Sequence, residues 1–154
     1  VTHEQAMELG ADCLKRGMPL LEQCNVTLAV GPLGPKDGNF LLTADAGRAL
    51  CELVGSPNCR LHLDCKAMAS ESKSIPQLLR ENVKLLEHFH ANDPNMRGPG
   101  MGELDFVPIF ETLAEIDYRG WVSVEVFDYA PGVEALARES IEYMQECLSK
   151  IALA

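Results

Sequence analysis

The segment Arg60-Leu61-His62-Leu63-Asp64 alternates polar and apolar side chains, and this alternation decides between two folds. Residues two apart in an extended strand face the same side, so His62 and Asp64 project together. An open parallel sheet has both faces covered by helices and little use for such a polar row. A closed barrel needs one at its mouth, where catalytic residues project from the carboxyl ends of the strands.

The same polar pattern recurs in the next two apolar segments. His88 and His90 again lie two residues apart, and Glu125 follows the run Val122-Ser123-Val124. We expect Asp64, His90 and Glu125 each to be the last inward residue of a strand, which would bring two carboxylates and an imidazole to one level. Such a set is typical of a divalent-metal site. Taken singly, Asp64 is also explained as a helix cap and each histidine as a hydrogen-bonded core residue. Glu125 is harder to explain in this way, because an unpaired buried carboxylate is costly.

Strand-like and helical segments alternate along the whole chain. Thr43, Ser74 and Asp105 are placed to cap helices, and Gly55 to end one. The patterns predict strands over 26–30, 60–64, 86–91 and 121–126, and helices over 3–23, 43–54, 74–84, 105–116 and 132–151. Units of about thirty residues that alternate in this way predict a parallel sheet covered by helices.

Composition narrows the choice of partners and of compartment. The 154 residues carry a formal net charge of −10, which repels phosphate backbones and argues against a nucleic-acid partner. No apolar run approaches the roughly 18 residues of a membrane span, and we expect no membrane partner. The start lacks the pattern of a signal peptide, and the six cysteines contain no CxxC pair. A reducing, cytoplasmic location is the expectation.

Several motifs along the chain form a recognisable set. They are VTLAVGPL at 26–33, NFLLT at 39–43, GSPN at 55–58 with LHLD at 61–64, HFHAND at 88–93 with GPGMG at 98–102 and DF at 105–106, and GWVSVE at 120–125. Together they resemble the sugar phosphate isomerase/epimerase family, whose xylose isomerase-like TIM barrel is shared with ketose 3-epimerases and hydroxypyruvate isomerase. The motifs match the last four strands of that barrel. Since a complete barrel takes about 250 residues and eight strands, the resemblance implies an α/β half-barrel, with residues 1–154 as a single domain.

The resemblance also implies a metal site and its ligands. The family holds its metal with Glu, Asp, His and Glu at the ends of the last four strands. By motif, Asp64, His90 and Glu125 are three of these metal ligands, whereas the first Glu falls on Gly31. Mn²⁺, Mg²⁺ and Co²⁺ all suit such a site. The missing ligand predicts that binding is weakened or lost.

The chemistry implied by the resemblance is proton transfer next to a carbonyl through an enediolate, on a small sugar or sugar phosphate. Epimerisation needs a carboxylate on each face of the carbon, which Gly31 disfavours. A one-base 1,2-shift with Glu125 as the catalytic residue remains open, and Asp37 is a substitute carboxylate in the loop after Gly31. The residues expected to contact the substrate are His62, Lys66, His88 and Arg97.

Half a barrel leaves two open sheet edges and an uncovered apolar face. We therefore expect a second copy of the chain, or an amino-terminal half, to complete it. Two alternative functions stay open. A degenerate, non-catalytic half-barrel with a binding or structural role is favoured by Gly31. An apurinic-site endonuclease-like protein is disfavoured, because the chain has only four histidines and a charge of −10.

Overall fold

The structure is a computed structural model, and it describes residues 1–152. The strands are β1 (Leu28–Val30), β2 (Cys59–Asp64), β3 (Leu86–Ala91) and β4 (Trp121–Val124). The helices are α1 (His3–Gln23), α2 (Ala44–Val54), α3 (Cys65–Met68), α4 (Ile75–Asn82), α5 (Val107–Glu115) and α6 (Val133–Ala152). No helix in the described part of the chain is long and apolar enough to cross a membrane.

The four strands form one parallel sheet in the order β1-β2-β3-β4. In the register of this sheet, Asp64 is opposite His90, and His90 is opposite Ser123. Two of the three predicted metal ligands therefore stand at one level, on neighbouring strands. The predicted α/β fold, with parallel strands alternating with helices, is confirmed.

Local sequence signals set the helix ends. The Thr43 hydroxyl accepts the backbone N–H of Ala46 at 3.1 Å, and Ser74 accepts that of Gln77 at 3.3 Å. Gly55 ends α2 in the left-handed region, at φ 71°, where a residue without Cβ is favoured. These capping predictions are confirmed. An Asp105 carboxylate oxygen accepts the N–H of Val107, although the cap position itself falls on Phe106.

Apart from shifts of one or two residues at helix ends and at the start of β2, the structure departs from the predicted elements at three places. β1 begins at Leu28 because Val26 donates its N–H back to Leu21 at the end of α1. β4 ends at Val124, the partner of the last residue of β3, so Glu125 lies just beyond the ladder. The short helix α3, which directly follows β2, was not predicted, because four residues are too few for a periodic signal.

The two faces of the sheet differ as the alternation predicts. Leu61 and Leu63 of β2 and Phe89 of β3 are buried in the main hydrophobic cluster, together with residues of α4 and α5. The polar row on the other face consists of His62 and Asp64 of β2 and His88 and His90 of β3. β1 and β4 are the edge strands of the described sheet, and Trp121 on β4 is 80% exposed.

Candidate metal centre

Three side chains at the carboxyl ends of β2 and β3 converge on one point. His62, Asp64 and His90 each offer a possible ligand atom, and these atoms all lie within 4.8 Å of one another. The parallel register produces this convergence, since it places Asp64 opposite His90 and His62 opposite His88. Carboxylate and imidazole groups together suit divalent transition metals.

Asp64 is buried and has a structural role as well as a possible metal-binding one. Its Oδ1 accepts the N–H of Ala67 at 2.8 Å and so caps α3. Its Oδ2 accepts from Asn92 Nδ2 at 2.6 Å. A carboxylate has about four lone-pair positions, so two hydrogen bonds leave acceptor capacity for an ion. The cap interpretation of Asp64 is thus correct, and it is compatible with the metal interpretation.

Asn92 orients Asp64, and sequence reasoning assigned it no role. The residue is fully buried just after β3. Besides donating to Asp64, it accepts the N–H of Lys66 through Oδ1 at 2.8 Å. It therefore ties the end of β3 to the start of α3. The sequence signal for this role is that Asn92 lies two residues after the predicted metal ligand His90. The ligands of a metal site are usually held by hydrogen bonds from neighbouring residues.

The imidazoles pack directly against one another. The ring centroids of His62 and His90 lie 4.1 Å apart, and those of His88 and His90 lie 5.0 Å apart. Burial, followed by the neighbouring His90 ring, lowers the pKa of His62 to about 4. Burial also lowers the pKa of His88. His62 is consequently neutral at physiological pH, which is the form of imidazole that binds metals.

Glu125 approaches the group from the edge strand. Its Oε2 lies 3.1 Å from His90 Nδ1, whereas Asp64 Oδ2 lies 3.8 Å from the same nitrogen. The Glu125 side chain is 38% exposed, against 8% for Asp64. Because Glu125 directly follows β4, it lies at the carboxyl-terminal edge of the sheet. A carboxylate placed there is able either to bind an ion or to exchange a proton with a bound molecule.

A cavity of about 350 Å³ opens over His62, Asp64 and Glu125. Its lining includes Gly31, His62, Asp64, Lys66, Glu125 and Phe127. Its volume falls within the range of roughly 300–1,000 Å³ typical of small-molecule sites. The cavity joins apolar walls to a few convergent polar groups, as sites that orient a small polar ligand do.

Lys66 and Arg97, the two basic residues predicted to contact the substrate, both form ion pairs with carboxylates. Lys66 Nζ lies 2.7 Å from Asp37 Oδ2 and 4.7 Å from the centre of the Phe127 ring. Arg97 Nε lies 2.8 Å from Asp128 Oδ2. Within residues 1–152, His62 and Lys66 line the cavity, whereas His88 and Arg97 do not. Substrate contact by any of these residues stays a prediction.

The donor set fits a divalent metal. Asp64 keeps acceptor capacity, His62 is neutral, and the buried Nε2 of His62 has no hydrogen-bond partner among residues 1–152. A buried nitrogen without a hydrogen-bond partner is explained if an ion binds to it. His90 adds a second imidazole, and Glu125 a second carboxylate at its edge.

Comparison with known proteins finds an isomerase and epimerases among the relatives of this chain. The 2-oxo-tetronate isomerase of Cupriavidus necator is 29% identical over 103 residues, which are 65% of this chain and 40% of that protein. The D-psicose 3-epimerase of Agrobacterium fabrum is 33% identical over 102 residues, 66% of this chain and 35% of that protein. A crystal structure of D-psicose 3-epimerase in the presence of D-fructose aligns at 26% identity with a TM-score of 0.80, covering 93% of this chain and 48% of that one.

The chain spans half the length, or less, of these relatives. The family model that matches, over residues 1–147, is that of the xylose isomerase-like TIM barrel. The resemblance found in the sequence motifs is therefore confirmed, and the four-stranded sheet is part of such a barrel. The chain belongs to the xylose isomerase-like TIM barrel family.

Proposed function

We propose that this chain provides the metal-binding half of a divalent-metal-dependent isomerase or epimerase that acts on a small sugar. The observation that carries the proposal is the convergence of His62, Asp64 and His90, with Glu125 beside His90, under a cavity that His62, Asp64 and Glu125 line. Asp64 and His90 would hold Mn²⁺, Mg²⁺ or Co²⁺. When bound, the ion would polarise the substrate oxygens and so acidify the neighbouring C–H. The names of the relatives, an isomerase and epimerases, support the reaction class.

Glu125 is the general base of this proposal. Of the carboxylates that line the cavity within residues 1–152, Asp64 is buried and caps α3, and Asp37 is paired with Lys66. Glu125 is the more exposed partner of His90 and is able to take a proton from carbon and return it to the adjacent carbon of an enediolate. One base on one face supports a 1,2-shift between aldose and ketose. Epimerisation would need a second base, which this half of the barrel supplies neither at Gly31 nor through a free Asp37.

The ion pairs at the mouth favour an uncharged sugar over a sugar phosphate. A phosphate at Lys66 would have to compete with Asp37, whose carboxylate is 2.7 Å away, and Arg97 is held by Asp128. Asp37→Asn releases the Lys66 ammonium. The variant should bind inorganic phosphate and sugar phosphates more tightly than the parent chain while its affinity for the neutral sugar changes little. Calorimetric titration measures both, and equal phosphate affinity in the two proteins would remove this argument for a neutral substrate.

A second half of the barrel is part of the proposal. β1 and β4 are open edges of the described sheet, and Trp121 on β4 is 80% exposed. The chain spans less than half of the 2-oxo-tetronate isomerase and of the Agrobacterium D-psicose 3-epimerase. A second copy of this chain or an amino-terminal half would pair with both edges and cover the apolar surface. Sedimentation tests the self-paired form, for which a dimer is expected and a stable monomer would contradict it.

The activity itself is tested by exchange of substrate hydrogen with solvent. Metal-stripped protein is supplied with Mn²⁺ and a panel of ketoses and aldoses in D₂O, and NMR follows deuterium at the carbon next to the carbonyl. We expect metal-dependent deuterium incorporation in the parent chain and none in Glu125→Gln, which keeps the size of the side chain but not its basicity. A chain that binds metal yet exchanges no hydrogen with any sugar would support the alternative, a non-catalytic half-barrel, which Gly31 favours.

A further inference from the structure

The ring of His62 occupies the space that a side chain at position 31 would need. A Cβ atom built on Gly31 would lie 2.6 Å from His62 Nδ1, closer than real Cβ contacts come. The atom in the way belongs to a ring packed against His90, so it has little freedom to move aside. His62 in this orientation and a side chain at position 31 therefore exclude each other. Position 31 is also where the family motif has the metal-binding Glu that this chain lacks.

A Glu at position 31 would supply one ligand to the metal, and the His62 imidazole is able to supply one in its place. His62 belongs to the group of possible ligand atoms that lie within 4.8 Å of one another, and Glu125 does not. The Nε2 atom of His62 is buried and has no hydrogen-bond partner among residues 1–152. A buried nitrogen without a partner is costly unless an ion or a hydrogen-bonding group binds to that nitrogen. A metal ion that binds Asp64 and His90 lies within reach of this imidazole.

We propose that His62 replaces the carboxylate absent at position 31, so that His62, Asp64 and His90 hold the metal ion. This inference rests on the metal site of the proposed function and names a ligand for it. It leaves Glu125 free to act on the substrate proton. Because imidazole favours Co²⁺, Ni²⁺ and Zn²⁺ whereas Mg²⁺ favours oxygen ligands, the site should bind Co²⁺ or Zn²⁺ in preference to Mg²⁺.

Nitrogen-15 NMR of the imidazole rings tests the ligand set directly. The chain has four histidines, so His→Gln variants assign each ring. Diamagnetic Zn²⁺ is titrated into metal-stripped protein. The ring nitrogens of His62 and His90 should shift together and saturate at one ion per chain. Those of His3, which lies on α1 beside Phe40, and of His88 should not take up metal-bound shifts.

Two glycine variants test the steric exclusion without altering any donor. Gly31→Ala adds one methyl group against His62 Nδ1 and should weaken Zn²⁺ binding by about tenfold or more, as the loss of ligand orientation does. Gly17→Ala is the matched control, because nothing lies within 4 Å of a Cβ built there. Its Zn²⁺ affinity should equal that of the parent chain.

The outcomes separate this inference from the metal site on which it rests. Saturable Zn²⁺ binding that shifts His90 but leaves His62 unchanged overturns the role of His62, and the proposed metal site stands. Unchanged Zn²⁺ affinity in Gly31→Ala also overturns it. If no histidine shifts and no saturable binding occurs, the metal site and the role of His62 are both wrong. Joint shifts of His62 and His90, lost in His62→Gln, support the replacement.

Discussion

Replacing Asn92 by Ala removes the amide that connects β3 to the metal-binding end of β2. Two hydrogen bonds are lost, from Asn92 Nδ2 to Asp64 Oδ2 at 2.6 Å and from the Lys66 N–H to Asn92 Oδ1 at 2.8 Å. Asn92 is 0% exposed, so water does not readily take its place. The Asp64 carboxylate loses one of its two hydrogen-bond donors from the surrounding chain, and a backbone N–H is left without its acceptor.

The cost follows from the two lost bonds. A hydrogen bond to a charged group contributes about 1.5–3 kcal/mol, and a buried donor left without a partner costs about 1–3 kcal/mol. We therefore expect Asn92→Ala to lower the free energy of unfolding by about 3 kcal/mol. For a chain of this size, that corresponds to a fall in melting temperature of about 10 °C. Since Asp64 loses its orientation, metal affinity should also fall by about 10- to 100-fold.

Urea unfolding followed by circular dichroism measures the first effect, with Asn95→Ala as the matched control. Asn95 also makes two side-chain hydrogen bonds, to the Met101 carbonyl at 2.7 Å and from the Arg97 N–H at 2.9 Å, but it is exposed. Its replacement should cost less than about 1 kcal/mol, because water replaces the lost partners. Equal destabilisation of the two variants would show that the buried Asn92 does not support Asp64.

Two further predictions concern thiol reactivity and acid stability. A thiol reagent should modify Cys13 and Cys24 rapidly in the native protein and reach the others only on unfolding, because four are buried: Cys51, Cys59, Cys65 and Cys147. Rapid reaction of more than two thiols would contradict the burial of these four cysteines. Lys73→Met should destabilise the protein at neutral pH, because hydrogen bonds from Lys73 lower the pKa of both Asp45 and Glu81. Carboxyl groups with lowered pKa stabilise the fold above about pH 4 and lose that effect as they protonate. The unfolding curves of the variant and the parent protein should therefore converge in acid. A difference in stability that persists in acid would contradict the ion pairs.

The sequence predicted those features that depend on neighbours along the chain. The alternation of β2 and β3 placed His62, Asp64 and His90 on one face, and the register of the sheet brings them together. The caps at Thr43 and Ser74 are likewise local, since each hydroxyl binds an N–H three residues ahead. Periodicity and capping chemistry carry such information because strand and helix geometry are fixed over a few residues.

Features that depend on contacts between distant loops could not be predicted. The ion pairs of Lys66 with Asp37 and of Arg97 with Asp128 join residues about thirty positions apart. Both basic side chains were predicted to contact the substrate, and the structure pairs them with carboxylates instead. The position of His62 against Gly31 depends on the distance between β1 and β2, which no spacing in the sequence expresses. Glu125 was expected at the level of Asp64 and His90, but the register puts Ser123 opposite His90 and leaves Glu125 beyond the strand.

Calorimetric titration of metal-stripped protein with Co²⁺, beside the His90→Gln variant, tests the metal centre most directly. His90 is the side chain that contacts both the Asp64 and the Glu125 carboxylates, at 3.8 and 3.1 Å. We expect saturable binding of one Co²⁺ per chain in the parent protein and its loss in a His90→Gln variant that melts normally. No binding by the parent protein, or the same binding in both, would contradict the claim that the ends of β2 and β3 form a metal centre.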